Sequence, residues 1–152
     1  MKTIGIFLVS LVFTLTCFAQ ESEFTKMMRE MYHEEFVEIV DENMNLTAEQ
    51  NEIFKPIFEE FLSELIPIMD SKLVNQGKFS EYFDTMTDEQ VEEIFKNIWT
   101  INKNYNDVMK KYTDRISKAI NPQSSFRFFL IVEKVSSTFE YSVIQNIPLV
   151  KN

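Results

Sequence analysis

Turn-forming and metal-binding residues are scarce in this sequence. Its 152 residues include only 2 Gly and 4 Pro, which excludes folds that need many tight turns or glycine-rich phosphate loops, such as β-sandwiches and dinucleotide-binding sheets. One Cys and one His leave little material for metal or nucleophilic chemistry. Lys and Arg number 15 against 24 Asp and Glu, a formal net charge of −9. This acidity argues against nucleic acid as a partner, because phosphate binding needs clustered bases.

Hydrophobic residues, in contrast, are abundant. They make up 45% of the chain, including 15 Phe, against 26% charged residues, a balance typical of a folded domain. Along most of the chain they recur at three- and four-residue steps, which is the period of an α-helix. We therefore predict a single all-α domain of four main helices that is not an enzyme, with no catalytic residue, no cofactor and no metal site.

Residues 1–19 have the pattern of a secretory signal peptide. Lys2 supplies a positive start, Ile4–Phe18 is almost continuously apolar or small, and positions 17–19 resemble a small-x-small cleavage site. An uncleaved anchor is the alternative, although the apolar run is shorter than the ~20 residues that a spanning helix needs. Acylation at Cys17 fits the preceding residues poorly. We predict cleavage after Ala19, loss of the single Cys, and an exported soluble domain of residues 20–152 without a membrane span.

Two of the predicted helices open with the same capping motif. In each motif a Thr hydroxyl can accept a hydrogen bond from a backbone N–H at the helix start, and a Gln three residues later can reach back to the backbone N–H of the Thr. An apolar residue precedes each Thr, as in a hydrophobic staple. The predicted structural caps are Leu46, Thr47, Gln50, Met86, Thr87 and Gln90.

The helical periodicity also sets the expected boundaries. We predict helices over Glu23–Met44, from Leu46 to a connection at Asn75–Lys78, over Asp88–Ile120, and from Asn121 to Pro148. Two prolines inside the second helix predict that it is either bent or broken. The face that the fourth helix is expected to bury consists of Phe126, Phe129, Leu130, Val132, Phe139, Val143 and Ile147.

The two caps resemble the motif of a known family. An apolar residue, Thr, two residues and Gln, present twice in a short exported helical chain, resembles the LTxxQ motif of the Spy/CpxP family of bacterial periplasmic proteins. Residues 46–50 fit this motif fully, whereas Met86 replaces Leu in the second copy. The second to fourth helical segments, about two-thirds of the chain, are similar to the family's layout in order and length.

This resemblance implies a bent, antiparallel helical hairpin that dimerises into a thin, curved cradle in the periplasm. The better-understood members are ATP-independent chaperones, envelope-stress regulators or metal-responsive proteins. The implied function is therefore a chaperone-like homodimer that binds unfolded or misassembled envelope proteins. A specific modulator that binds the periplasmic domain of an envelope-stress sensor is the alternative, and a metal-responsive protein is the third.

A methionine-rich cluster in the first segment is a candidate client-binding site, because the thioether is flexible and polarizable. Packing of the same side chains against the second helix is the competing interpretation. A soft-metal site that adds His33 to the sulfurs is a third, although a single His offers few ligands. The cluster consists of Met27, Met28, Met31 and Tyr32.

The charges divide the chain into an acidic body and a basic end. Residues 20–100 contain 20 acids and 6 bases, whereas residues 101–152 contain 4 acids and 8 bases. The basic end is interpreted either as a zone that attracts acidic stretches of a client or sensor, or as dipole compensation and ion pairing with the acidic first helix. The overall acidity differs from the positively charged cradles of the family. The candidate client-binding cations are Lys110, Lys111, Arg115, Lys118 and Arg127.

Overall fold

The described residues form four α-helices. A computed structural model describes residues 34–144, apart from the side chains at 81, 139 and 142–144. Within this range the helices are α1 (34–43), α2 (Ala48–Tyr82), α3 (Asp88–Ala119) and α4 (Pro122–Ile144), with no strand between them. The prediction of an all-α chain is therefore confirmed. None of the described helices is both long enough and apolar enough to cross a bilayer.

Both capping boxes form as predicted. The Thr47 hydroxyl accepts a hydrogen bond from the Gln50 backbone N–H at 3.2 Å, and the Gln50 side chain accepts one from the Thr47 N–H at 3.1 Å. Thr87 and Gln90 make the same reciprocal pair at 3.3 and 2.9 Å. Each box satisfies two backbone donors that a helix start would otherwise leave without partners.

The predicted connection at Asn75–Lys78 is wrong, because α2 continues through it to Tyr82. Asn75 is buried, and its side-chain oxygen accepts a hydrogen bond from the Asn97 side chain of α3 at 3.2 Å. These contacts with α3 outweigh the weak helix propensity of Asn and Gly. The helix also passes through Pro56 and Pro67 without a break. Because α2 ends at Tyr82 and α3 begins at Asp88, the turn between them lies at residues 83–87.

Phe61 lies at the centre of an aromatic core to which all four helices contribute. Its ring centroid is 5.0 Å from that of Phe128 on α4, 5.4 Å from that of Tyr112 on α3 and 6.4 Å from that of Phe36 on α1. The four rings are fully buried, and the edge-to-face or tilted geometry suits their quadrupoles. This cluster fixes α1, α3 and α4 against one position of α2.

The buried face of α4 differs from the predicted one. Val132 is buried as expected, and Phe128, which the prediction omitted, is also fully buried. Three residues predicted to be buried are instead exposed. They are Phe126, at 62% exposure, Phe129, at 37%, and Leu130, at 49%.

Two small residues explain this register of α4. Ser125 and Ser136 are buried on the same face as Phe128, and their short side chains allow α4 to approach α3 closely. The Ser125 hydroxyl donates a hydrogen bond to the Thr113 carbonyl at 2.7 Å. A search for the largest apolar residues selects the wrong face because two buried positions are serines. Three other side chains of the predicted face lie outside the described part of the chain, namely Phe139, Val143 and Ile147. The predicted end of the helix at Pro148 lies outside it as well.

The described part of α1 packs on α2 as its pattern indicates. Phe36, Val40 and Met44 are buried and recur at steps of four residues, so they share the face of α1 that contacts the core. Asn45 follows with a φ of 51°, a left-handed conformation that Asn tolerates and that ends helices. The rest of the predicted first segment, from Glu23 to His33, lies outside the described residues.

The core occupies only one end of the α2–α3 pair. Its last buried apolar residue on α2 is Leu73, and its first on α3 is Ile101. Beyond them lie residues 74–100, which comprise the end of α2, the turn and the first part of α3 and are here called the distal hairpin. Along α3, Tyr105 still bonds Glu133 of α4 at 2.9 Å, so α4 follows α3 towards this end of the pair. Several apolar residues of α3 within the distal hairpin are nonetheless exposed, among them Phe95, Ile98 and Trp99.

The observed register predicts opposite outcomes for two phenylalanines of α4. Phe128→Ala removes a fully buried ring from the core and should lower the free energy of unfolding by about 3–5 kcal/mol. Phe126→Ala removes an exposed ring and should change it by less than about 0.5 kcal/mol. Urea unfolding followed by circular dichroism measures both variants. Equal losses would contradict the register.

Removal of the cap hydroxyls tests whether the two boxes stabilise the fold. Thr47→Ala and Thr87→Ala should each lower the free energy of unfolding by about 1 kcal/mol, because each leaves a backbone donor without its side-chain acceptor. Thr47→Ser and Thr87→Ser retain the hydroxyl and serve as matched controls. A loss as large in the Ser variants as in the Ala variants would show that the effect comes from something other than the cap bond.

Candidate protein-binding groove

An apolar groove lies between the two helices of the distal hairpin. It encloses about 530 Å³, within the range of cavities that bind small molecules or a few side chains of a peptide. Helix α2 forms one wall, α3 forms the other, and Glu140 of α4 lines the groove beside Lys72. The lining residues are Lys72, Asn75, Gln76, Phe79, Met86, Val91, Ile94, Phe95, Ile98, Ile101, Asn102 and Glu140.

The wall on α3 is an uncovered helical stripe. Val91, Ile94, Phe95 and Ile98 recur at steps of three and four residues, so they share one face of α3. Phe95 is 57% exposed and Ile98 is 37% exposed, and the adjacent Trp99 is 70% exposed. Of the eleven large hydrophobic residues that are exposed in the described chain, six lie in the distal hairpin. Exposed apolar side chains at this density indicate a surface that another polypeptide covers.

Polar groups mark the end of the groove nearest the core. Lys72 on α2 forms a partly buried ion pair with Glu140 on α4. One helical turn along α2, the side-chain oxygen of Gln76 is buried, and no donor within the described chain reaches it. A buried carbonyl oxygen without a donor is costly.

The opposite end of the groove is acidic. The last turn of α2 and the first turns of α3 contribute six acids and two bases between residues 78 and 96. Lys78 pairs weakly with Glu93 at 3.7 Å. The excess of carboxylates favours an occupant that places a cation beside its apolar residues. The acids are Glu81, Asp84, Asp88, Glu89, Glu92 and Glu93, and the bases are Lys78 and Lys96.

Three of the predicted client-binding cations lie in ion pairs at the core end of the molecule. Arg115 donates to both carboxylate oxygens of Glu60, at 2.5 and 2.9 Å, and Lys111 bonds Glu64 at 2.5 Å. Lys110 pairs with Asp114 one turn away at 2.6 Å. The acidic partner between helices is therefore α2, whereas the pairing interpretation named the first helix.

The other two predicted cations have different surroundings. The Arg127 guanidinium donates to the Met44 carbonyl at 3.2 Å, which joins α4 to the end of α1. Lys118 is exposed in the last turn of α3 and belongs to no ion pair in the described chain. All five cations lie outside the lining of the groove, so the structure brings none of them together with the exposed apolar stripe.

The remaining sequence candidates fall mostly outside the described residues. The methionine-rich cluster and its neighbour precede residue 34 and therefore lie outside the described residues. They are Met27, Met28, Met31, Tyr32 and His33. Between residues 34 and 144, no group of three or more His, Cys, Asp or Glu side chains is arranged to hold a metal ion. Met86, predicted as a cap residue, lines the groove as well.

Val91, Ile94, Phe95 and Ile98 have helical spacing in the sequence but belong to no predicted site. The stripe alone does not distinguish residues that face a neighbouring helix from residues that face a groove. The exposure of Phe95 and Ile98 in the folded chain carries the missing information. The wall on α2 was also missed. The sequence predicted a connection at Asn75–Lys78, whereas α2 continues to Tyr82.

The ion pairs at Glu60 and Glu64 predict a loss of stability in acid. Hydrogen bonds from Arg115 lower the pKa of Glu60, and hydrogen bonds from Lys111 and then Tyr112 lower the pKa of Glu64, both from a usual 4.5. A lowered pKa in the folded state stabilises the fold fully above about pH 4.5, and this contribution is lost as the pH falls through the lower folded value. We expect the free energy of unfolding to decline in that window.

Urea titrations from neutral pH to about pH 3 measure this decline. The double variant Glu60→Gln with Glu64→Gln should show a shallower decline than the wild type. The control is Glu42→Gln with Glu59→Gln, which changes two exposed acids that form no ion pair in the described chain. An unchanged slope in the first variant would contradict the role of these pairs.

Comparison with known proteins adds no relative. No protein-family model, no curated protein and no solved structure matches this chain significantly. The capping motifs at Thr47 and Thr87 are thus the features that carry the resemblance to Spy/CpxP proteins. The function has to follow from the surfaces that the helices present.

Proposed function

We propose that this protein is a periplasmic, ATP-independent chaperone-like protein of the Spy/CpxP type, which binds unfolded or misassembled envelope proteins. The observation that carries the proposal is the uncovered apolar stripe of α3 and the groove that it forms with α2. Phe95, Ile98 and Trp99 together expose more ring and aliphatic surface than a stable fold requires. Such a surface suits short apolar segments that unfolded chains expose.

The charge around the groove narrows the class of client. Acids dominate the distal hairpin, so a client segment with Lys or Arg beside its apolar residues gains attraction at the mouth of the groove. The sequence had suggested the opposite preference, with the basic end of the chain attracting acidic clients. The cations at that end pair mainly with Glu60, Glu64 and Asp114 and are therefore less available to a client. We therefore assign client binding to the distal hairpin. The cradle-shaped homodimer that the resemblance implies is part of the proposal.

The dimensions of the groove support a second candidate function. A groove of about 530 Å³ holds one short segment rather than a long stretch of unfolded chain. A site of this size also suits a specific modulator that binds the periplasmic domain of an envelope-stress sensor. Affinity capture from an envelope extract separates the two functions, since one dominant partner favours modulation and a broad set of partners favours the chaperone.

Suppression of aggregation tests the chaperone proposal. The purified protein, without ATP, should reduce light scattering from a chemically reduced test protein when present in several-fold excess. The double variant Phe95→Ser with Ile98→Ser should need several times more protein for the same effect, because it removes the apolar wall of the groove. Absence of suppression by the wild type would contradict the function.

A second surface of the molecule provides the matched control. Phe126→Ser with Leu130→Ser makes the same kind of change at two exposed residues of α4 that lie outside the groove. Both double variants alter exposed side chains, so their free energies of unfolding should stay within about 1 kcal/mol of the wild type. Loss of suppression in the control as large as in the groove variant would assign client binding to α4 instead.

A further inference from the structure

The walls of the groove present apolar side chains but no free backbone groups. Helices α2 and α3 form both walls, and the N–H and C=O groups inside an α-helix bond one another. The described chain contains no strand whose edge could pair with an extended segment. An extended occupant would therefore leave its own backbone groups unpaired against apolar side chains, which is costly. An α-helix avoids this cost because it bonds its backbone internally.

Helix α4 shows that a helix can pack on both α2 and α3. Phe128 of α4 packs on Phe61 of α2, and the Ser125 hydroxyl of α4 donates a hydrogen bond to the Thr113 carbonyl of α3. The described part of α4 reaches the groove at Glu140, which is one of its lining residues. The groove is therefore formed by the same pair of helices that already holds a helix at the core end.

Free carboxylates share a face of α3 with its exposed apolar residues. Glu92, Phe95 and Trp99 follow one another at steps of three and four residues, so they lie on one face, and Asp88 precedes Glu92 by one turn. Asp88 and Glu92 are exposed and belong to no ion pair in the described chain. A cation that lies one helical turn beyond the apolar residues of an occupant would meet these carboxylates.

We propose that the groove takes its client segment as a cationic amphipathic α-helix. The apolar face of this helix lies on Phe95 and Ile98, and Lys or Arg side chains at one end reach Asp88 and Glu92. The origin of the helix in a client rests on the proposed function, whereas its recognition by charge and helical form does not. An extended segment and a second copy of this chain are outcomes of the tests.

The groove also sets the length and direction of the bound helix. The wall of α3 from Val91 to Ile101 covers ~15 Å, so about three helical turns contact it. Cations are favoured at the C-terminal end of a helix, where they complement its macrodipole. With that end at the acidic turn between α2 and α3, the bound helix runs parallel to α2.

Three synthetic peptides of ~14 residues, long enough for three to four turns, test the recognition. The first has Leu at helical spacing and Lys in its last turn. The second replaces each Lys by Glu, and the third has the composition of the first but alternates Leu with polar residues, as an amphipathic strand does. In calorimetry with the purified protein, the first should bind at least about fivefold more tightly than either of the others, the effect of roughly one exposed ion pair.

The conformation of the bound peptide is measured by circular dichroism. A helix of this length is marginal in water, so the first peptide should gain helix when the protein is added. Absence of that gain, or equal affinity for the alternating peptide, would overturn the helical form of the occupant. Equal affinity for the Glu peptide would overturn the role of charge.

Charge reversal in the groove gives a matched pair of variants. Glu92→Lys should weaken binding of the Lys peptide by about fivefold and strengthen binding of the Glu peptide. Glu38→Lys makes the same change in net charge at an exposed position of α1 outside the groove, so its affinities should stay near those of the wild type. Equal effects of the two variants would show that net charge alone attracts the peptide and would overturn the proposal.

The single Trp of the chain reports where the peptide binds. Trp99 is 70% exposed beside the groove, so its emission should move to shorter wavelength when a peptide without Trp covers it. Phe95→Ser with Ile98→Ser should remove binding in calorimetry, whereas Phe126→Ser with Leu130→Ser should retain it. Binding that survives the first double variant would place the peptide elsewhere and overturn the proposal.

None of these titrations contains an aggregating protein, which keeps the two proposals separable. If the peptides bind as expected but no aggregation is suppressed, the proposed function fails and the inference stands. If aggregation is suppressed but the peptides show no preference for charge or helical spacing, the inference fails and the function stands. A loss of peptide affinity as the protein concentration rises would assign the groove to a second copy and would also overturn the inference.

Discussion

The architecture depends on one buried ring. Phe61 contacts aromatic residues from each of the other three helices, so the position of every helix is fixed at a single level of α2. With only 2 Gly and no Cys after residue 19, the chain has neither tight-turn scaffolds nor disulfides to hold its helices together, and packing has to do so. The ion pairs of Glu60 and Glu64 with α3 lie within one turn of this ring and reinforce the same level.

This concentration of contacts divides the molecule into two parts with different roles. The aromatic end is closed by three helices around α2, and its cations are mostly neutralised by neighbouring carboxylates. The distal hairpin has two helices, an apolar stripe and an excess of acid. A chain without disulfides can expose apolar surface only where a separate core supplies the stability of the fold. The distal hairpin is such a region, because the aromatic core lies outside it.

Local signals in the sequence were sufficient for helix starts but not for packing faces. The two capping boxes predicted the first residues of α2 and α3 correctly because a cap is formed by side chains three residues apart. The face of α4 was predicted wrongly, since Ser125 and Ser136 are buried through contacts with α3 that no local pattern reveals. The connection expected at Asn75–Lys78 was wrong for the same reason. The groove could not be predicted, because it is formed by residues of α2 and α3 that only the tertiary arrangement brings together.

The last buried apolar residues, Leu73 on α2 and Ile101 on α3, also mark a boundary in cooperativity. Beyond them the backbone hydrogen bonds of the distal hairpin are supported by few buried contacts, so this part can open locally at a lower free energy than the aromatic core. On heating, the hairpin is therefore expected to fray before Phe61 and its partners unpack. The exposed apolar residues of α3 thus lie in the part of the fold that opens at the lowest free energy.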